Sequence, residues 1–141
     1  MPAVVHHAEV TESEIDAQAI KALVSDPSTG AIVLFSGDVR DQDHGRSVVS
    51  LTYEAHPSAQ EVLETVVGDF AADSSVTAIA AVHRVGEIPI GQAALVVAVA
   101  SSHRSEAFTA AGALVDLIKE KLPVWKHQFF ADGTDEWVNC A

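Results

Sequence analysis

Cations are scarce in this sequence: eight Lys and Arg stand against twenty Asp and Glu in 141 residues, a formal net charge of −12 with His neutral. Broad binding to nucleic acid or to an anionic membrane is thereby excluded, because both draw affinity from clustered cations that neutralise phosphates. An anionic ligand must instead find a local basic pocket. Cysteine is limited to Cys140, which excludes an internal disulfide framework and a Cys-based zinc site. Nothing demands an oxidising compartment, so the cytoplasm is the expected location. Long apolar runs are missing: residues 93–100 form the most apolar stretch, far short of the ~20 residues of a membrane helix. Met1-Pro2-Ala3-Val4-Val5-His6-His7 lacks the cationic start and apolar run of a signal peptide, and a soluble protein is expected.

Several chemical motifs are absent as well. The sequence holds no Gly-rich phosphate loop, no Ser nucleophile elbow and no Asp/Glu set with ligand spacing. His6-His7 has no third ligand at recognisable spacing, and adjacent residues of a strand point to opposite faces, so no metal is expected. What is present suits a globular fold. Hydrophobic residues make up 48% and charged residues 20%, enough apolar material to bury a core. With no repeat, low-complexity tract or Pro/Gly/Ser-rich linker, residues 1–141 read as one domain.

Thr11-Glu12-Ser13-Glu14 has the pattern of a capping box, followed by Ile15, Ala19, Ala22 and Leu23 at helical spacing up to Asp26-Pro27. Gly30 opens the β-branched, apolar run Ala31-Ile32-Val33-Leu34-Phe35, a buried strand that ends at Ser36-Gly37. Val49-Ser50-Leu51-Thr52-Tyr53-Glu54 alternates as a half-exposed strand does. Pro57 suits the first turn of a helix with Val62, Val66, Val67 and Phe70 on one stripe. Residues 76–82 and 93–100 are further strands, with room for a short extended piece between them. Ser101-Ser102 caps a last helix, where Phe108, Ala111, Leu114, Val115, Ile118 and Leu122 keep the helical period until Pro123. Residues 124–130 are extended, and Asp132-Gly133-Thr134 is turn chemistry. This order predicts an α+β domain with helices on one face of a mainly antiparallel or mixed sheet.

The placement of the cations is the most informative feature. Lys21 lies on the first helix, and Arg46 and Lys121 read as solvated surface charges, whereas Arg40, Arg84, Arg104, Lys119 and Lys126 fall at or near element ends. Binding loops gather at element ends, so these five are placed either to converge on a site or to pair with the abundant carboxylates. Ser101-Ser102-His103-Arg104-Ser105 joins a strand to a helix N-terminus. It is either a simple Ser cap with exposed His and Arg, or an anion site built from free backbone N–H groups and the Arg104 fork. Lys119 and Lys126 bracket Pro123. A chain reversal at the proline brings both amines to one mouth, where two ammoniums repel, favour loss of a proton from one, and together attract a carboxylate or thiocarboxylate. Solvated surface lysines are the alternative. Trp125 reads as core, His83-Arg84 as turn structure or ligand contact, and Cys140 as a tail residue or a sulfur-transfer thiol.

Taken in order, Phe35-Ser36-Gly37-Asp38-Val39-Arg40, Leu51-Thr52-Tyr53-Glu54-Ala55, His83-Arg84-Val85-Gly86, Ser101-Ser102-His103-Arg104 and Leu117-Ile118-Lys119 through Pro123-Val124-Trp125-Lys126 resemble the catalytic, large subunit of molybdopterin synthase. The blocks run from about Gly30 to Trp137, and their ordered set with matching intervals carries the resemblance; the first twenty-nine residues carry little of it.

The resemblance implies an α/β hammerhead-like domain with an additional small antiparallel β-sheet. It implies a sulfurtransferase that converts cyclic pyranopterin monophosphate into molybdopterin, adding two sulfurs as a dithiolene. The sulfur arrives as a thiocarboxylate on the C-terminal Gly-Gly of a small ubiquitin-like subunit, and the large subunit forms a homodimer with a small subunit at each end. By the same resemblance Lys119 and Lys126 are catalytic, and Arg40, His103 and Arg104 bind substrate, the latter two at the cyclic phosphate. Two departures stand out. Asp38 occupies a position where some relatives have Lys or Thr and is not assigned to the anion site. His127-Gln128 stands where a basic residue and Glu are common; both remain candidate pocket residues. No cofactor or metal is implied for this step. The competing readings are a non-catalytic module that binds the small subunit and a small-molecule-sensing α+β domain.

Overall fold

Residues 2–138 are described by a computed structural model of the chain; Cys140 lies outside them. Twelve elements follow one another: β1 (Val4–Thr11), α1 (Ala17–Val24), β2 (Ala31–Asp38), β3 (Gln42–Asp43), β4 (Arg46–Ala55), α2 (Ala59–Ala72), β5 (Ala78–Arg84), β6 (Gly86–Glu87), β7 (Ala93–Ser101), α3 (Arg104–Lys121), β8 (Val124–Phe130) and β9 (Asp135–Val138). They form an α+β fold with two sheets. The first is four-stranded and mixed, ordered β1-β5-β7-β2, with β1 and β5 parallel and the other pairs antiparallel. The second is the expected antiparallel sheet, five-stranded, ordered β3-β4-β8-β9 with β6 also paired to β4.

β5 and β7 are the central strands, and nearly every residue of both is buried. A strand covered on both faces reads as a continuous apolar run, as these two do. The coverage differs from the expected one-sided arrangement. Ala78, Ala80, Val82, Val96, Ala98 and Ala100 pack against Ile20 and Val24 of α1 on one face, while Ile79, Ala81, Val97 and Val99 pack with α2 and α3 on the other. The reason is period-two geometry: both alternate sets are apolar, so each face needs a helix.

All three helix starts also depart from the sequence expectation: Pro57 lies in the turn before α2, whose N-cap is Ser58, rather than in its first turn. α1 begins at Asp16, whose carboxylate accepts hydrogen bonds from the Gln18 and Ala19 N–H groups. Thr11 instead ends β1, paired with Arg84 of β5. A non-local strand pairing thus claims the first residue of the apparent capping box. At α3 the N-cap is His103, with no side-chain capping bond, and Ser101 is the buried last residue of β7. Gly30 is required by close approach: a Cβ there would lie 2.0 Å from the Ser102 carbonyl oxygen, and its N–H donates to the Ser101 carbonyl at 3.0 Å.

α3 buries Ala110, Ala111, Leu114 and Ile118 against the first sheet and α2. Ile118 is fully buried, which fixes the rotation of the helix and leaves the adjacent Lys119 on the exposed side. The helix stops at the Leu122 cap, whose N–H donates to the Ile118 carbonyl at 2.9 Å. The chain then turns through Pro123, whose carbonyl accepts from the His56 N–H at 3.0 Å, and enters β8 in antiparallel register with β4.

Candidate functional site

A cavity of about 200 Å³ opens where the two sheets meet. Among its walls are Arg40, Lys119, Lys126 and Gln128, together with Asp38, Asp43, Tyr53 and His83. Each arrives on a different support. Arg40 follows β2 directly, Lys119 sits in the last turn of α3, and Lys126 and Gln128 are alternate residues of β8. Alternate strand residues share a face, so β8 points Lys126 and Gln128 inward and His127 the other way. Register then assembles the rest: Lys126 lies opposite Tyr53 of β4, whose other neighbour is Gly86 of β6. Gly86 has φ +86°, a left-handed conformation at the start of β6, two residues beyond the end of β5.

His83 forms the buried part of this wall, 1% exposed. Its Nδ1–H donates to the Arg84 carbonyl at 2.8 Å, which leaves Nε2 as the acceptor of a neutral ring. The ring meets Tyr53 edge-on, with centroids 5.0 Å apart. Burial is the main reason its pKa is depressed from 6.5 to about 4, with the Lys119 charge acting in the same direction and the bond to Arg84 opposing. His83 therefore adds no cation to the cavity at neutral pH.

Asp43 is held from several sides. The buried Gln128 donates from Nε2 to Asp43 Oδ2 at 2.8 Å, His44 Nδ1 lies 3.0 Å from Oδ1, and Arg40 Nη2 lies 3.8 Å from the same oxygen. The Gln128 hydrogen bond is the largest cause that holds the Asp43 carboxyl below the usual carboxylate range; burial opposes it, and His44, Lys126 and Arg40 reinforce it. Of the charged liners, Arg40, Lys119 and Lys126 face Asp38 and Asp43, so this chain alone leaves a single net positive charge on the cavity.

The remaining sequence candidates lie elsewhere. His103 and Arg104 stand exposed at the start of α3. Arg104 is fifteen residues from Lys119 on that helix, about 22 Å along the axis at ~1.5 Å per residue. His127 is off the cavity, on the outer face of the second sheet, stacked on Trp137 with ring centroids 4.0 Å apart and bonded to Asp135 at 2.6 Å. Arg84 ties the end of β5 to the following turn through Gln92 Oε1 at 2.6 Å. Arg46 is not simply solvated, since its guanidinium lies 3.6 Å over the Phe130 ring. Trp125 is half-buried opposite Glu54 rather than part of the core. Tyr53 and Asp43 carried no local signal of a site; they reach it through strand register and a tight hairpin. Among the described residues, no group of three or more His, Cys, Asp or Glu is placed to hold a metal ion.

The family model described as MoaE protein matches residues 10–121. Molybdopterin synthase catalytic subunit 1 of Mycobacterium tuberculosis is 37% identical over 133 residues, covering 94% of this chain and 90% of that protein. The molybdopterin synthase catalytic subunit of Aspergillus oryzae is 39% identical over 134 residues, covering 93% and 74%. The crystal structure of molybdopterin synthase from Staphylococcus aureus superposes with a TM-score of 0.85 at 29% identity, covering 94% of this chain and 96% of that one. A complex of subunits 1 and 2 of molybdopterin-converting factor from Helicobacter pylori shares the fold, with a TM-score of 0.71 at 18% identity over 97% of this chain and 90% of that one. Lys119 and the strand-borne candidates of the cavity thus sit in a chain that belongs to the MoaE family of molybdopterin synthase catalytic subunits.

Proposed function

We propose that this chain is the catalytic subunit of a molybdopterin synthase, a sulfurtransferase that moves sulfur from the thiocarboxylated C-terminal Gly-Gly of a small ubiquitin-like subunit to cyclic pyranopterin monophosphate. The observation that carries the reading is the convergence of Lys119 from α3, Lys126 from β8 and Arg40 after β2 on one cavity. Both reactants are anions, so fixed cations hold them together and offset the charge that develops between them. Lys119 contacts the thiocarboxylate. Lys126 supports proton transfer or stabilises charge while the thiocarboxylate sulfur forms a bond to a pterin carbon and the C–O bond there breaks, its oxygen leaving protonated; water then cleaves the acyl–sulfur bond, so that the sulfur stays on the pterin and the tail ends as a carboxylate. Two such transfers complete the dithiolene. The sulfur comes on the partner's tail, so the step calls for no cofactor or metal of this chain.

The net charge of the cavity supports a second copy of the chain at the site. One positive charge is little for a cyclic phosphate and a carboxylate tail, and His103 and Arg104 are too far along α3 to help within their own chain. Arg104 and Phe108 lie four residues apart, hence on one helix face, and Phe108 is 63% exposed. In a homodimer that face delivers His103 and Arg104 to the partner's phosphate. Among the described residues no helix is long and apolar enough to cross a membrane, and the cytoplasm is the proposed location. Lys119→Ala tests the assignment: with a competent sulfur donor it should abolish dithiolene formation, and near wild-type formation removes Lys119 from the mechanism.

A further inference from the structure

An anion-binding cavity gains nothing in affinity from a carboxylate in its wall, yet Asp43 is built into this one. The hairpin that carries it is tightly specified. Asp43 pairs with Arg46 across His44 and Gly45, whose φ values of 51° and 78° make the two-residue connection that matches strand twist. The side chain is 15% exposed, whereas its cationic neighbour Arg40 is 77% exposed. On the inner side Gln128, itself 3% exposed, grips Oδ2 at 2.8 Å. On the outer side Oδ1 faces His44 and Arg40, and Lys126, two residues before Gln128 on the same face of β8, adds its attraction. The carboxylate is thus anchored by a neutral amide on Oδ2, leaving Oδ1 to face the exposed His44 and, of the groups that the proposed reaction uses, Arg40.

We propose that Asp43 is a positioning residue for this site, its carboxylate, anchored by Gln128, holding the Arg40 guanidinium at the cavity mouth. The proposal rests on the sulfur-transfer reading for its reaction, though not for its binding arm. Exposed ion pairs contribute little to stability because water screens them, so the value of this one lies in orientation. A long, flexible Arg left without a fixed counter-charge samples many rotamers, and misplacement of a group that holds the substrate slows chemistry more than it weakens binding.

Asp43→Asn removes the charge and keeps the shape. The expected result is a split between the kinetic constants: kcat falls about tenfold or more, while affinity for cyclic pyranopterin monophosphate rises about two- to fivefold, because a repelling charge is gone. The double variant Asp43→Asn with Gln128→Glu exchanges amide and carboxylate across the same hydrogen bond and should recover most of the rate. A purely structural role predicts neither the opposite signs nor that rescue. Unchanged kcat in Asp43→Asn, weaker pterin binding, or a folded double variant as slow as the single one overturns the proposal. If the wild-type chain itself forms no dithiolene, the sulfur-transfer reading fails separately, and calorimetric affinity still decides: tighter binding by Asp43→Asn supports the charge placement, and equal or weaker binding overturns it.

Discussion

Lowering the pH from 7.5 to 5.0 should cost this protein about 2 kcal/mol of folding stability through His83 alone. In the folded chain its ring is buried and titrates at about 4 rather than 6.5. A depressed histidine pKa means that the unfolded chain binds the proton more readily, so stability is full above 6.5, falls as the pH drops below it, and levels off below about 4. At about 1.4 kcal/mol per tenfold difference the whole effect is about 3 kcal/mol, of which about 2 has been lost by pH 5. Urea denaturation at both pH values, on the wild-type chain and His83→Gln, isolates the contribution, since other titrating groups act in both. The wild-type chain should lose about 2 kcal/mol more than the variant. NMR titration of the His83 ring reports the same quantity without the variant, and should show a neutral ring down to about pH 4. Equal losses for the two chains, or a ring that titrates near 6.5, refute the assignment of His83 as a desolvated, neutral wall of the cavity.

Other expectations follow from other parts of the molecule. If His103 and Arg104 serve the partner's site, a subunit-exchanged mixture of Lys119→Ala and Arg104→Ala chains, each inactive alone, should regain about a quarter of the wild-type sites, because each mixed dimer has one intact site; no recovery in confirmed mixed dimers contradicts the sharing. Gly30→Ala puts a Cβ against the Ser102 carbonyl, and should lower stability by about 1–3 kcal/mol, measured as a lower urea midpoint; an unchanged midpoint denies the close approach.

The elements that buried their apolar residues were legible in the sequence because they follow a single period: β2, β5, β7 and α3 show it, and Pro123 marked the turn that brings Lys119 and Lys126 to one cavity. What escaped was decided by pairing across the chain. Thr11 had the local chemistry of a cap but is claimed by Arg84 of β5. The single small helix α1 covers the face of the first sheet opposite α2 and α3, which periodicity alone does not reveal. The same holds for the site. Arg40, Lys119 and Lys126 were readable by type and place, His83 was readable as either turn structure or ligand contact, and Gln128 came only with the resemblance, whereas Tyr53 and Asp43 enter through register and a hairpin. His127 fails to reach the cavity because neighbours on a strand face apart.

The central claim is that Lys119 and Lys126 form one sulfur-transfer site, and it is tested most directly by single-turnover reconstitution: purified chain, thiocarboxylated small subunit and cyclic pyranopterin monophosphate, with dithiolene as the readout. The wild-type chain should form dithiolene, while Lys119→Ala and Lys126→Ala should each bind the small subunit and lose turnover by about a hundredfold or more. Small-subunit binding without any turnover by the wild-type chain, or turnover that survives both substitutions, would contradict it.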